Sequence, residues 1–228
     1  MNALILPLLA GMSLAAPATA TPAAEAPTLR ALGGAVAPQA LHAASTALLV
    51  IDFQNEYYSG RLPIPDGAAA LANAQALVRM ADAAGIAVYH VQHLNPAGAP
   101  IFAEGSEGAA LVAGMQPGPR HHLVSKRTVS VFASTDLHDQ LKARGTRTLL
   151  ISGLMTHACV AGAARDAVPL GYEVIVASDA VATRSIQALP GQGTLPAELL
   201  HRAALTEIAD AFGSVMPTQA VLALPVQH

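Results

Sequence analysis

Ala47-Leu48-Leu49-Val50-Ile51-Asp52 is an unbroken apolar run that stops at an acid. A run with no polar alternation reads as a strand buried on both faces, the kind found in parallel sheets covered by helices. The chain beyond it alternates accordingly. Asp66 stands where a helix N-cap would, and Leu71, Leu77, Val78 and Ala81 recur at helical spacing up to Gly85, a natural stop. Residues 86–91 read as a second strand and 94–118 as a long loop. Residues 122–125 form a third strand ending at Lys126. Thr135 caps a helix carrying Leu137 and Leu141 that ends near Gly145. Residues 148–151 are a fourth strand, broken by Gly153, and 159–170 an alanine-rich helix. Residues 173–177 are a fifth strand, 197–212 a helix, and Val215-Met216 a sixth, edge strand.

Strands alternating with helices predict an α/β fold, a parallel sheet with helices on both faces. In such sheets ligands bind beyond the carboxyl ends of the strands. Asp52, Lys126 and Cys159 each fall at or just after such an end, so an acid, a base and a nucleophile share one rim.

The start of the chain follows another pattern. Residues 4–15 are almost wholly apolar and Ala18-Thr19-Ala20 fits a small-x-small cleavage site, so residues 1–20 read as a secretory signal peptide. Its leading region has no Lys or Arg, and cytoplasmic residence follows if the start codon is mis-assigned. Residues 21–45, rich in Ala and Pro, read as a linker, and residues 46–228 as the folded domain. After the N-terminus nothing approaches the ~20 apolar residues of a membrane span. With a net charge of -3, 4% aromatic residues and no Trp, the chain offers no basic face or stacking platform for nucleic acid.

Cys159 is the only cysteine of 228 residues, so no disulfide within the chain is possible. It is either an inert core thiol or a reagent. At a strand-to-helix turn, backbone N–H groups and the helix dipole favour a thiolate or an oxyanion. A cysteine attacks carbonyl carbon as thiolate, or as a thiol that loses its proton during attack. A carboxylate can take that proton and return it to a leaving amine, and an ammonium favours both anions.

Three segments carry a resemblance. Residues 50–57 (VIDFQNEY), 126–132 (KRTVSVF) and 153–160 (GLMTHACV) resemble, in order, the acid, lysine and nucleophile motifs of the isochorismatase-like cysteine hydrolases. Asp166-Ala167, Gly171-Tyr172 and Ser178-Asp179-Ala180 also match, so the resemblance spans about residues 47–215. It implies a three-layer α/β/α sandwich with a six-stranded parallel sheet. It also implies Cys159 as nucleophile, Asp52 as general acid/base and Lys126 as electrostatic partner. A cis peptide between Leu154 and Met155 is implied too, with the amides of Met155 and Cys159 as oxyanion hole. The implied substrate is a small molecule with an amide, ureido or lactam C–N bond, cleaved through a thioester by a homodimer or larger homo-oligomer. Vinyl ether hydrolysis and a catalytically silent binding protein are the alternatives.

Nicotinamidases of this family carry an Asp-x-His metal pair after the second strand. Here His93 and Asn95 occupy those places, a poor metal pair, so neither metal nor other cofactor is expected. Phe53, Gln92, His93 and Phe132 are candidate pocket residues, with core packing an equal alternative for the two phenylalanines. His121-His122 reads as a solvated pair facing opposite ways. A Cys159–His157 dyad is the tempting alternative to the triad, disfavoured because the two are so close in sequence.

Overall fold

The computed structural model describes residues 26–228. Its central sheet has six parallel strands: β1 (Thr46–Ile51), β2 (Ala87–His93), β3 (His122–Lys126), β4 (Thr148–Leu154), β5 (Glu173–Ala182) and β6 (Ser214–Met216). Their spatial order is β3-β2-β1-β4-β5-β6. The chain therefore builds outward from β1 to one edge, crosses back, and builds outward again from β4. Strand order reverses between β1 and β4, and there the connections leaving the strand tips diverge and open a crevice.

Side-chain alternation sorts the apolar residues into two cores. Leu48, Val50, Val88, Leu150 and Ile175 face α1 (Gly67–Ala84), whose Ala70, Ala74, Leu77 and Ala81 make its buried stripe. Leu49, Ile51, Tyr89, Val91, Ile151 and Val176 face the opposite layer. That layer is α2 (Leu137–Ala143), α3 (Ala161–Ala167) and α4 (Ala197–Glu207), the last continuing as a π-helical segment, Ile208–Phe212. The short α5 (Thr218–Leu222) joins the α1 side through Val221. The expected α/β/α sandwich is what forms. The alanines of α3 are all buried, so the helix that follows the Cys159 turn lies close against the sheet.

Several boundaries differ from the sequence reading. Gly153 does not break β4; the strand runs through it to Leu154. At φ 148° a Cβ on Gly153 would lie 2.5 Å from the Ile51 carbonyl oxygen, so glycine lets β4 stay against β1 up to the rim. Strand β5 continues to Ala182 because it bulges. Ile151 pairs with Val176 and Gly153 with Val181, which loops residues 178–180 out of register. Strand β2 runs on through Gln92 and His93, placing His93 opposite Lys126.

The signal-peptide segment, residues 1–20, lies outside the described residues. The described part of the Ala/Pro-rich stretch is attached to the domain. Leu29–Leu32 is a helical turn whose Leu29 N–H donates to Asp210 Oδ1 at 2.9 Å. Leu41–His42 pairs in parallel with Val226–Gln227, and Leu41 is buried. Among the described residues no helix is long and apolar enough to cross a membrane.

Candidate active site

Asp52 follows β1 with φ 56°, a left-handed conformation that Asp tolerates better than most residues. Its N–H still donates to Val91 O at 2.9 Å, so the strand ladder holds up to the kink. Lys126 ends β3, two strand spacings or roughly 10 Å from β1. Only a long side chain crosses that gap, and on the way it passes over β2 at His93. Its Nζ reaches Asp52 Oδ2 at 2.8 Å, with both side chains fully buried. Nζ also donates to Cys159 Sγ at 3.3 Å and to Thr128 O at 3.2 Å, and contacts His93 Nδ1 at 3.0 Å.

Cys159 does not begin a helix. It lies inside a π-helical turn, Thr156–Val160, that precedes α3, and π turns inside helices recur at functional sites. The Leu154–Met155 peptide is cis, at the position the resemblance implies. The amides of Ala158 and Val160 both donate to Met155 O, so the Cys159 amide lies between two that fold back on the turn.

The three groups thus meet in a site shut off from bulk water, and burial sets their electrostatics. The Cys159 thiol is pushed up to about 12, first by burial and then by the Asp52 charge, with Lys126 pulling the other way. Burial disfavours the Lys126 ammonium, but Asp52 and Cys159 outweigh it and hold the amine above its usual range. The resting arrangement is a thiol, with an ammonium and a carboxylate beside it. Of the two forms the sequence left open, thiolate or thiol, burial favours the thiol, because desolvation outweighs the help from backbone N–H groups. Asp52 Oδ2 is held by the Lys126 ammonium, while Oδ1 has no hydrogen-bond partner among the described residues and is the oxygen placed to take a proton.

His157 turns away from the sulfur, its Nδ1 2.6 Å from Thr183 Oγ1, and no Cys–His dyad forms with it. Phe53 is fully buried in the α1-side core and does not line an opening. Phe132 packs at the edge of the other core, its ring stacked on Tyr172 at 6.1 Å. Gln92 donates to Ala109 O at 2.8 Å and so anchors the long loop. His93 and Asn95 bond each other at 3.2 Å. His121 and His122 do face opposite ways, but the His121 side chain is nearly buried and His122 is half-buried. His121 bridges His90 and Asp82, and His122 stacks on Tyr89 at 4.4 Å.

Sequence reasoning missed three features. Gln54, two residues after Asp52, clamps the His93 backbone: its Oε1 accepts from His93 N–H, and its Nε2 donates to His93 O and Ala109 O. The Asp-x-Gln spacing was visible, but its target lies 39 residues away. Tyr57 is buried near the thiol, its hydroxyl held well above the usual range by burial, then by Asp52 and Cys159. Thr156, in the turn that holds Cys159, contacts His201 of α4 at 2.9 Å, a pairing with no signal in spacing.

Residues 46–220 match the family model described as the isochorismatase domain. The chain is similar to the secreted isochorismatase effector Isc1 of Verticillium dahliae, 35% identical over 184 residues covering 81% of this chain and 94% of that protein. It is also similar to the ureidoacrylate amidohydrolase RutB of Methylobacterium radiotolerans. That match is 32% identical over 213 residues, covering 78% of each. Among solved structures it is similar to an isochorismatase from Pseudomonas putida KT2440, with TM-score 0.80 and 30% identity, covering 86% of this chain and 99% of that one.

Proposed function

This chain belongs to the isochorismatase family of hydrolases, and on that premise we propose that it cleaves an amide, ureido or lactam C–N bond of a small molecule through a thioester. The observation that carries the reading is the buried Lys126 ammonium, 2.8 Å from Asp52 and 3.3 Å from Cys159. The similarity to an amidohydrolase supports the bond type.

Cys159 attacks the carbonyl carbon while its proton passes to Asp52. The negative charge that develops on oxygen is met by the Met155 and Cys159 amides. The C–N bond then breaks, Asp52 gives the proton to the departing nitrogen, and a thioester remains. Water attacks the thioester, its proton passes to Asp52, and the acid product leaves as that proton returns to sulfur. Lys126 keeps its charge throughout and stabilises each anionic partner in turn. Because the resting thiol is neutral, proton transfer and attack are coupled.

The test is ammonia or amine release from ureidoacrylate and a panel of small amides, lactams and N-carbamoyl compounds, with Cys159→Ser beside the wild type. Turnover lost in the variant supports the reading. Full amide turnover in Cys159→Ala sinks the thioester route; cleavage of a vinyl ether substrate that survives Cys159→Ala, with no amide turned over, favours vinyl ether chemistry; and no turnover of either points to a silent binder.

We also infer export, with a mature chain beginning at Thr21 and residues 46–228 as the hydrolase domain. The support is the pattern of residues 4–20 and the similarity to a secreted protein. N-terminal sequencing that finds Met1 retained removes it. Association into a homodimer or larger assembly is expected from the resemblance, and light scattering on the purified chain checks it.

A further inference from the structure

The Lys126 ammonium has three protons and four neighbours: Asp52 Oδ2, His93 Nδ1, Thr128 O and Cys159 Sγ. What His93 offers it is decided at the far end of a short chain of bonds. Ile101 O can only accept, so the Asn95 group facing it at 3.0 Å is the Nδ2 amide. Asn95 Oδ1 then faces His93 Nε2 at 3.2 Å, and that nitrogen carries the ring proton. Nδ1 is left with a lone pair, aimed at Lys126 Nζ 3.0 Å away. A carbonyl in the long loop thus fixes the polarity of every link up to the ammonium.

The ring has little freedom to do otherwise. Gln54 binds both the N–H and the carbonyl of His93. The Phe102 ring meets the imidazole edge-on, with centroids 5.4 Å apart. His93 also stands opposite Lys126 in the ladder, on the same sheet face, directly in the path the lysine takes to Asp52.

We propose that His93, held as the neutral Nε2–H tautomer by Asn95 and the Ile101 carbonyl, is a positioning residue that fixes the Lys126 ammonium between Asp52 and Cys159. Its effect on turnover rests on the reading above, and its tautomer does not. A proton on Nδ1 would face the ammonium and end the contact. The groups around the ring are Lys126, the Asp52 charge, Asn95, the Thr128 backbone and the Phe102 ring. Burial first, and Lys126 second, hold the imidazole below its ordinary range of about 6.5, so it stays neutral near pH 7.

The deciding experiment is nitrogen-15 NMR of the wild-type imidazoles, with His93 assigned by the signal missing from His93→Asn. A pyrrole-type Nε2 and a pyridine-type Nδ1 at pH 7 are expected. A protonated Nδ1, donating to the Thr128 carbonyl, overturns the proposal. Kinetics on the best amide from the screen supply the second readout. His93→Leu removes the acceptor and should lower kcat by about 10- to 100-fold with KM within about twofold, the scale of a small misplacement. In His93→Asn, Oδ1 replaces Nδ1 as an acceptor that does not titrate. It should recover most of that loss and show no acid limb from this group. Asn95→Asp puts a carboxylate against Nε2–H, favours the imidazolium, and should move the acid limb to higher pH. Full kcat in His93→Leu, or an unchanged acid limb in both other variants, overturns the positioning role. If no amide is turned over, the functional reading fails, and the nitrogen shifts still decide the tautomer.

Discussion

Asp52 and Lys126 form a fully buried ion pair, and such pairs are costly to break singly. Lys126→Met strands the Asp52 carboxylate without its ammonium and should cost about 3–5 kcal/mol in urea denaturation. Asp52→Asn with Lys126→Met should recover part of that loss, because no lone charge is left buried; a double variant as unstable as the single would mean that packing dominates. Asp52→Asn alone should lower turnover by about 10²- to 10⁴-fold, the usual contribution of a positioned acid/base. A steady-state assay that finds Asp52→Asn fully active removes Asp52 from proton transfer. The thiol makes a further prediction. Since burial and Asp52 push Cys159 up to about 12, iodoacetamide should alkylate it slowly at pH 6–8 and faster only in strongly alkaline buffer. Fast alkylation already near pH 6 would show a thiolate the geometry does not favour. Every signal reports this residue, because there is no other thiol.

At the scale of elements, the site depends on strands staying together to their tips. Strand β4 runs beside β1 through Gly153, where an added Cβ would meet the Ile51 carbonyl oxygen at 2.5 Å. Gly153→Ala should therefore separate the ends that carry Asp52 and the Cys159 turn, at about 3 kcal/mol of stability. Gly145, after α2, has positive φ but open space around it, so Gly145→Ala should cost only about 1 kcal/mol. Thermal melts of the two variants separate close approach from backbone conformation; equal losses would refute the close-approach argument.

Across the whole molecule, a second polar chain ties three distant segments together. His90 of β2, only 1% exposed, contacts His121 at 3.0 Å, and His121 contacts Asp82 of α1 at 3.0 Å. Gly118 N–H donates to His121 Nδ1, so that nitrogen is an acceptor and His90 Nε2 must be the donor. Burial, and then His121, lower His90 to about 4. Unfolded, the same histidine takes up a proton below about 6.5. Between pH 6.5 and 4 the unfolded chain therefore binds more protons, and stability falls as pH falls, by about 3 kcal/mol in all. His90→Leu should flatten the loss in urea denaturation measured from pH 7 to pH 4. An identical pH dependence in His90→Leu would assign it to other groups.

The apolar run at 47–51, the helix limits at Asp66 and Gly85 and the alternation of strands with helices were enough to determine an α/β sandwich. The rule that ligands bind beyond the carboxyl ends of such strands put Asp52, Lys126 and Cys159 on one rim. Local sequence can do this because buried parallel strands have a one-residue-scale signature, a run of apolar side chains with no alternation. Contacts set by pairing between strands could not be read that way. That Lys126 crosses over His93, that Gln54 clamps a strand 39 residues on, and that His121 faces inward all depend on the register of β2 with β3 and on the fold of the long loop. The state of Cys159 belongs to the same class. Its sequence neighbours favour a thiolate or an oxyanion and leave the form of the sulfur open, but exclusion of water by the packed layers, which only the tertiary structure brings about, favours the neutral thiol.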